Sequence, residues 1–339
     1  MYKNSSINFL SENAVLLHKI VKDLTENVFY AVENHIMGIW KHVLYDIKHK
    51  SLHILLPESD NPKLEKYKYF EKYISKKYDM YFFDIVESTG INDGMTISNN
   101  TLAYMKYLKN GTWKAETVNL NQYNLRQIDV YMVSRRLNTN QALSYEDNLG
   151  QGSEYRHNND ATKKGAGFDI AMAGFEYDED GKQKDNYFVE ILMDKYLYTL
   201  KENSLRCLYS LWMDEPIQIQ HGITPAMLKY IKGIIYHELY HILQFNNYFK
   251  HDDSKVDKTL ATKKEMKTLE AKFGKELAKY YNQNIEMYAH LMEFYYEVEG
   301  VYDFNEIVTE VKTKRFFTRL TEKNKKRVIL TLYKLYNEG

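Results

Sequence analysis

The chain has 339 residues, of which 44% are hydrophobic and 27% are charged, and this composition is typical of a folded soluble protein rather than a disordered one. Lysine and arginine together number 46, as do aspartate and glutamate, so the formal net charge is zero. This balance indicates neither nucleic acid nor an anionic membrane as a partner. One cysteine excludes an internal disulfide.

The N-terminal residues contain no continuous apolar stretch followed by a small-residue cleavage site, so they do not predict a signal peptide. No run approaches the ~18 apolar residues that a membrane-spanning helix needs. We therefore expect a cytoplasmic protein that does not enter a membrane. The abundance of tyrosine, lysine, asparagine and isoleucine beside only four prolines indicates an AT-rich genome, so association with a phage virion is a second expectation.

Residues 1–137 are predicted to form an N-terminal α/β region. Hydrophobic periodicity favours both helices and strands there. Helices are expected over 11–36 and 62–77, and strands over 40–56, 80–86 and 127–134. Asn110-Gly111, between apolar runs at 102–108 and 112–118, is the strongest hairpin signal in the chain. Binding of a protein partner through this region is compatible with the sequence.

Residues 138–165 are rich in asparagine, glycine and serine and poor in apolar residues, so they predict a loop or linker. A second domain is expected over 166–339. Near its beginning, an acidic turn that ends in Gly181 predicts a hairpin of 168–177 with 187–193.

The rest of this second domain is predicted to be mainly helical. Residues 196–213 fit a helix or a strand, and residues 217–220 predict a short strand. Helices are then expected over 257–281, 283–299, 303–320 and 322–336. The predicted fold class is therefore α+β, with mixed or antiparallel strands and helices in the N-terminal part and a mainly helical C-terminal half.

An H-E-x-x-H sequence runs from His237 to His241 on a predicted helix. Thr224 and Pro225 form an N-cap followed by proline at the first helical position, which favours a helix start. The apolar residues that follow recur at three- and four-residue spacing: Leu228, Ile231, Ile235, Leu239 and Ile242. On such a helix the two histidines share a face and can bind one metal ion, while Glu238 can reach a water on its open side. A surface helix with two solvated histidines is the alternative interpretation.

A catalytic zinc site needs a third protein ligand, and the helix predicted over 283–299 offers one. Residues 223–297 resemble the gluzincin branch of the zincin metallopeptidases. In that branch H-E-x-x-H is followed on a later helix by a glutamate ligand, with a small residue three positions on and a polar residue four positions on. Glu286, Ala289 and His290 match this pattern. Many members also carry a glutamine three residues after the second histidine, where this chain has Gln244.

The resemblance implies one zinc ion per chain, held by His237, His241 and Glu286, with His290 and Glu293 as alternatives to Glu286. It also implies a zincin-like fold for the C-terminal half. In zincins an edge strand beside the metal-binding helix holds the main chain of the substrate, and the predicted hairpin strands or residues 217–220 are the candidates for that strand.

Two other families contain H-E-x-x-H. Metzincins carry glycine three residues and histidine six residues after the second histidine, where this chain has Gln244 and Asn247, so that family is excluded. Peptide deformylases take a cysteine as third ligand from an upstream E-G-C-L-S segment. Cys207-Leu208 matches that segment only in part, and Tyr240 stands where that family carries aspartate. Cys207 is therefore interpreted as a small buried hydrophobic residue.

The expected function is that of a zinc metallopeptidase, and more specifically an endopeptidase, acting on a protein or peptide substrate. Glu238 would be the general base toward the zinc-activated water. The developing oxyanion needs a further donor, for which related enzymes use a tyrosine or a histidine. The candidates are Tyr240, Tyr288, His290 and His251, and we name His290 and Tyr288 beside Glu238 as catalytic residues. The alternative function is a structural or binding component of a larger assembly, such as a phage particle, with a vestigial peptidase site.

Overall fold

A computed structural model of the chain describes residues 14–51, 68, 70, 74–87, 94–98, 103–107, 113–117, 120–123, 125–133, 171–177, 183–216, 222–244 and 262–338. These residues are mostly helical and contain a small mixed sheet, in agreement with the predicted α+β class. The loop predicted over 138–165, the strand predicted over 217–220, most of the helix predicted over 62–77 and His251 lie outside the described residues.

The described helices are α1 (Ala14–Asp46), α2 (Ser75–Glu87), α3 (Asp194–Trp212), α4 (Pro225–Leu243), α5 (Lys263–Phe273), α6 (Lys275–Asn282), α7 (Asn284–Val298), α8 (Phe304–Thr313), α9 (Arg315–Thr318) and α10 (Glu322–Glu338). A π-helix, Ile47–Ser51, continues α1, and a 3-10 turn covers Leu120–Tyr123. Within the described residues, no helix combines the length and the apolar character needed to cross a lipid bilayer.

The described strands are β1 (Gly94–Ser98), β2 (Ala103–Tyr107), β3 (Trp113–Thr117), β4 (Gln127–Val133), β5 (Ala171–Tyr177) and β6 (Gln183–Leu192). Four of them form a sheet in the order β1-β4-β6-β5, in which β4 and β6 are parallel and the other pairs are antiparallel. The strands β2 and β3 pair with each other in a separate antiparallel sheet. Both predicted strand pairs, β2 with β3 and β5 with β6, are confirmed, as is the strand predicted over 127–134.

The long helix α1 lies at the centre of the core and extends further than the sequence pattern predicted. Its buried apolar residues recur at helical spacing along its whole length: Leu17, Val21, Leu24, Val28, Val32, Ile36, Ile39 and Val43. The strand predicted over 40–56 is wrong for residues 40–51, which are helical. Trp40, Val43 and Ile47 continue the buried stripe. Packing in the core therefore outweighs the strand preference of these aromatic and β-branched residues.

The strand predicted over 80–86 is also wrong, because these residues belong to α2. A short apolar run fits a strand or a buried helix equally well in sequence, and here Phe82 and Val86 are buried one helical turn apart. The hydroxyl of Tyr78 donates a hydrogen bond to Ser204 Oγ of α3 at 2.7 Å, which holds the two helices together. The ambiguous residues 196–213 form a helix as far as Trp212, at the end of α3.

Within the described residues, the four helices predicted in the C-terminal part are confirmed, with two interruptions. Residues 257–261 of the first predicted helix lie outside the described residues. Gly274 has φ 88°, a conformation that favours glycine, and it separates α5 from α6. Lys314 has an extended backbone and separates α8 from α9. The first interruption starts a new helix shortly before α7, and this helix also contributes to the metal centre described below.

The beginning of α4 is fixed by its own N-cap and by α1. Thr224 Oγ1 accepts a hydrogen bond from the backbone N–H of Met227 at 3.2 Å, and Pro225 occupies the first helical position, as predicted. Just before this cap, Gly222 has φ 62°, and a Cβ atom there would lie 2.3 Å from the indole ring of Trp40. Glycine is therefore required for α1 to approach the start of α4 this closely.

Candidate metal centre

The H-E-x-x-H sequence lies in the second half of α4, and this part of the helix is buried. The helices α1 and α7 pack against α4, and β5 approaches it from the sheet. The exposed fractions of His237, Glu238 and His241 are only 6%, 8% and 7%. A surface helix with solvated histidines is therefore wrong for this segment. Polar groups buried to this extent need partners inside the protein.

The helix α7 packs against α4 and brings Glu286 to the two histidines. The Nε2 atoms of His237 and His241 lie 3.1 Å apart. Glu286 Oε2 lies 3.8 Å from His237 Nε2 and 3.6 Å from His241 Nε2. These three side chains lie close enough together to hold one metal ion. The structure thus brings together the three residues that the sequence predicted as ligands.

Hydrogen bonds on the outer side of each imidazole decide which ring nitrogen faces this centre. Glu293 Oε2 accepts from His237 Nδ1 at 2.9 Å, because a carboxylate can only accept. Gln244 Oε1 accepts from His241 Nδ1 at 3.0 Å, and Gln244 Nε2 donates to the carbonyl oxygen of Ile285 at 3.3 Å. Both Nε2 atoms therefore point toward the centre, as in metal-binding histidines whose second nitrogen is hydrogen-bonded.

The converging acceptor atoms attract a positive charge. Glu286 Oε2 is buried and has no hydrogen-bond donor among the described residues. Burial alone would lower the pKa of His237, but the carboxylates of Glu286 and Glu293 hold it well above its usual range. Burial would raise the pKa of Glu286, but the imidazoles of His241 and His237 hold it well below its usual range. When no metal is bound, a proton on these atoms supplies the positive charge. A metal cation competes with that proton for the same atoms.

Glu238 is buried beside the centre without being one of the three converging groups. Burial raises the pKa of its carboxyl, and the carboxylates of Glu286 and Glu293 act in the same direction, while His237 and His241 oppose the rise. A carboxylate with a raised pKa accepts a proton more readily near neutral pH. Its environment is therefore suited to a general base.

The other two predicted catalytic residues have different surroundings. The ring of His290 lies against the ring of His237, with centroids 4.5 Å apart. Tyr288 is buried, and its hydroxyl hydrogen-bonds to Thr331 of α10. His290 thus lies beside the centre, whereas the hydroxyl of Tyr288 is directed to another helix.

Glu293 and His290 were the alternatives to Glu286 as third ligand. With His237 they form a second group whose potential ligand atoms lie within 4.8 Å of one another. However, Glu293 Oε2 already accepts from His237 Nδ1 and lies 3.4 Å from His290 Nδ1. Burial would raise the pKa of Glu293, but these two imidazoles lower it to about 2. We therefore interpret Glu293 as a support of His237 from outside the centre.

Tyr280 of α6 is a residue of this centre that the sequence did not indicate. Its ring contacts the ring of His290, with centroids 5.8 Å apart. Burial of the hydroxyl, together with the charges of Glu286 and Glu238, holds the pKa of Tyr280 well above its ordinary value of 10. The side chain as a whole is 37% exposed, so it extends from the centre to the surface. As one of 31 tyrosines outside any motif, it carries no signal in the sequence.

Cys207 takes no part in the centre. It is a free thiol buried in α3, and burial raises its pKa to about 11. Within the described ranges, neither group of side chains that could hold a metal contains it. The geometry therefore gives no support to a site with a cysteine ligand.

A polar network, buried at His18 and Tyr236 and partly exposed at Glu299 and Lys22, connects α1, α4 and the end of α7 next to the centre. His18 Nδ1 accepts a hydrogen bond from the hydroxyl of Tyr236, the residue before His237, at 2.8 Å. His18 Nε2 lies 3.2 Å from Glu299 Oε2, which also pairs with Lys22 Nζ at 2.6 Å. The network ties the H-E-x-x-H part of α4 to the central helix of the core.

Comparison of the chain with protein-family models, with curated proteins and with solved structures finds no match in any of the three. The function must therefore be inferred from the metal centre and its surroundings.

Proposed function

We propose that this protein is a zinc metallopeptidase of the gluzincin type, which hydrolyses peptide bonds in a protein or peptide substrate. The observation that carries the proposal is the convergence of His237 Nε2, His241 Nε2 and Glu286 Oε2 at one buried point, beside the carboxyl of Glu238. Two histidines and one glutamate are a known set of catalytic zinc ligands that leaves a coordination position for water.

The spacing and chemistry of the three atoms support zinc as the ion. The equidistant point in the plane of the three atoms lies about 2.0 Å from each of them, which is close to the ~2.0–2.2 Å of zinc–nitrogen and zinc–oxygen bonds. Two imidazoles favour a transition metal over calcium and magnesium, which prefer oxygen ligands. The outer hydrogen bonds to Glu293 and Gln244 hold the imidazoles in the orientation that a metal requires.

Zinc bound at this point would lower the pKa of its water to about 7 and polarise the scissile carbonyl group. Glu238 takes a proton from the attacking water, and its raised pKa allows it to hold this proton until the leaving amine accepts it. His237, His241 and Glu286 hold the ion, and Glu293 keeps His237 in the correct tautomer.

The position of β5 supports an extended peptide as the substrate. This strand lies at one edge of the described sheet and packs against α4. A peptide that adds to a sheet edge is held by main-chain hydrogen bonds, which are available in any sequence. Bound in this way, it would pass alongside the metal-binding helix with its carbonyl groups near the ion.

The test is to measure zinc per chain by mass spectrometry and to screen the protein against a peptide library. We expect one zinc in the unmodified protein. Glu286→Ala should weaken zinc binding by more than the ~10–100-fold that loss of an outer hydrogen-bond partner costs, and the exposed Glu276→Ala should leave zinc binding unchanged. Glu238→Gln should keep the zinc and lose ~10²–10⁴-fold in kcat.

Absence of zinc after its addition at neutral pH would contradict the proposal. A protein that binds zinc, while it and Glu238→Gln are equally inactive, would favour the alternative of a structural component with a vestigial site.

A further inference from the structure

Arg319, the residue that follows α9, carries a positive charge that no described carboxylate neutralises. Its Nη1 atom is buried and has no hydrogen-bond acceptor among the described residues. Within the same part of the chain, its guanidinium group forms no ion pair. A buried donor of a charged group costs free energy when it lacks an acceptor. An anion that comes from outside the protein would remove this cost.

A series of ring contacts connects Arg319 to the candidate metal centre. Its Cζ atom lies over the ring of Tyr281, 5.1 Å from the centroid. The ring of Tyr281 contacts that of His290, with centroids 5.3 Å apart, and His290 contacts His237 at 4.5 Å. The guanidinium group therefore lies within about 15 Å of the His237 ring. An extended peptide advances ~3.4 Å per residue, so this distance corresponds to about four residues of substrate.

The buried amide of Asn282 fixes the backbone of Arg319 next to α6. Its Nδ2 atom donates to the carbonyl oxygen of Arg319 at 3.0 Å, and its Oδ1 atom accepts from the backbone N–H of Thr321 at 3.0 Å. These bonds hold the end of α6 against the turn between α9 and α10. From this position the side chain of Arg319 extends over two rings, that of Phe273 with Cζ at 5.6 Å and that of Tyr281.

The two ring contacts leave the guanidinium group able to bind an anion. Arginine stacks on aromatic rings through its face, while its N–H groups lie in its own plane, where a carboxylate can accept two parallel hydrogen bonds. Arg319, Phe273 and Tyr281 are each partly exposed. A rotation of the guanidinium group therefore brings Nη1 to an anion that arrives from solvent.

His290, which also contacts Tyr281, has a second atom without a partner. Its Nδ1 atom lies 3.4 Å from Glu293 Oε2, which can only accept, so Nδ1 carries the proton and Nε2 of the neutral ring is an acceptor. This Nε2 atom is buried and has no hydrogen-bond partner among the described residues. A peptide would supply both missing partners, a main-chain N–H for His290 and a carboxylate for Arg319.

Building on the proposed function, we propose that Arg319 belongs to a substrate subsite and binds a carboxylate of the peptide, within about four residues of the scissile bond. The carboxylate is that of the C-terminus or of an acidic side chain, because an unmodified peptide carries no other anion at neutral pH. The preferred substrates are then peptides with a negative charge close to the cleaved bond. Arg319 takes no part in breaking that bond, so it lowers KM and leaves kcat unchanged.

The test compares Arg319→Gln with Arg315→Gln, a matched control that removes an exposed guanidinium group four residues earlier. Each zinc-loaded protein receives the same peptide library in three forms. The first has a free C-terminal carboxylate, the second has a C-terminal amide, and in the third every Asp and Glu is replaced by Asn and Gln. For each form, kcat and KM are measured.

A binding measurement gives a readout that does not depend on turnover. Fluorescently labelled peptides of the three forms are titrated with Glu238→Gln, which should keep its zinc, and with the double variant Glu238→Gln, Arg319→Gln.

We expect the unmodified protein to cleave carboxylate peptides ~10–100-fold more efficiently than their neutral forms, as for a hydrogen bond to a charged group. Arg319→Gln should lose this preference through a higher KM, and it should cleave the neutral forms as the unmodified protein does. Arg315→Gln should keep the preference. A loss of efficiency on amidation assigns the subsite to the C-terminal carboxylate, and a loss on replacement of Asp and Glu assigns it to an acidic side chain.

A preference for carboxylate peptides that persists in Arg319→Gln, or that is absent from the unmodified protein, would overturn the inference while the peptidase itself stands. An equal loss on all three forms in Arg319→Gln would also overturn it, because Arg319 would then only support the fold. If no peptide is cleaved but Glu238→Gln binds carboxylate peptides through Arg319, the proposed function fails and the carboxylate site stands.

Discussion

Glu293 Oε2 accepts the Nδ1–H of His237 across the interface between α7 and α4, over a distance of 2.9 Å. The carboxylate holds the imidazole so that Nε2 faces the metal centre, and its negative charge makes that nitrogen a stronger ligand. The same oxygen lies 3.4 Å from His290 Nδ1. One carboxylate thus connects the two helices that carry the proposed metal ligands.

Replacing this carboxylate should weaken metal binding although it is not a ligand. We expect Glu293→Ala to raise the zinc dissociation constant by ~10–100-fold. Glu297→Ala, one turn further along α7, is the matched control and should bind zinc as the unmodified protein does. Competition with a fluorescent zinc chelator measures both. Equal affinity of the two variants would show that Glu293 does not orient His237.

Gln244 bridges a ligand of α4 and the backbone next to the ligand of α7. Gln244→Ala leaves His241 Nδ1 and the carbonyl oxygen of Ile285 without this partner, so the unfolding free energy of the metal-free protein should fall by about 1–3 kcal/mol. Gln244→Glu tests the two contacts separately. A carboxylate still accepts the hydrogen bond from His241 but cannot donate one to the carbonyl oxygen of Ile285. We expect it to bind zinc better than Gln244→Ala. Urea denaturation and zinc titration check the two expectations, and equal zinc affinities would contradict the second.

His18 should make stability depend on pH. Burial holds its pKa below the ordinary value of 6.5, so the folded protein keeps it neutral while the unfolded chain takes up a proton as the pH falls. Its contribution to the unfolding free energy is therefore complete above pH 6.5 and decreases below pH 6.5. Glu299 causes a further loss of folding stability in more acidic solution. Burial would raise its pKa, but Lys22 and His18 hold it below 4.5, so its contribution is lost as the pH falls through that lowered value.

The variant His18→Leu removes this dependence. It should unfold about 1–3 kcal/mol more easily at pH 8, because the hydroxyl of Tyr236 loses its acceptor, and its stability should change less between pH 7 and pH 5. His42→Leu, at an exposed position of the same helix, should stay within about 0.5 kcal/mol of the unmodified protein. Denaturant titrations at several pH values test this. A pH profile of His18→Leu parallel to that of the unmodified protein would contradict it.

Cys207 should be unreactive in the folded protein. Its thiol is buried and its pKa is raised to about 11, so only about one thiol in 10³ is ionised at pH 8, and the thiolate is the reactive form. A chromogenic disulfide reagent should label it only after denaturation. Cys207→Ala should still bind one zinc ion, and loss of the zinc in that variant would revive the cysteine-ligand interpretation.

Local patterns in the sequence were sufficient to predict the elements that depend on neighbouring residues. The helix α4, its N-cap at Thr224 and the two strand pairs follow from spacing, capping and turn chemistry that act within a few residues. The helical C-terminal part was predicted for the same reason. The H-E-x-x-H spacing also indicated that His237 and His241 would share one face, and the resemblance to gluzincins implied Glu286 as their partner, with His290 and Glu293 as alternatives.

The tertiary structure decided what depends on packing between distant segments. Residues 40–51 and 80–86 have strand-like composition but form helices, because their apolar side chains are buried on helical stripes in the core. Glu293 lies beside His237 only because α7 packs against α4. Its contact with His237 joins residues 56 positions apart, and such a pairing depends on how helices cross rather than on the local pattern of the chain.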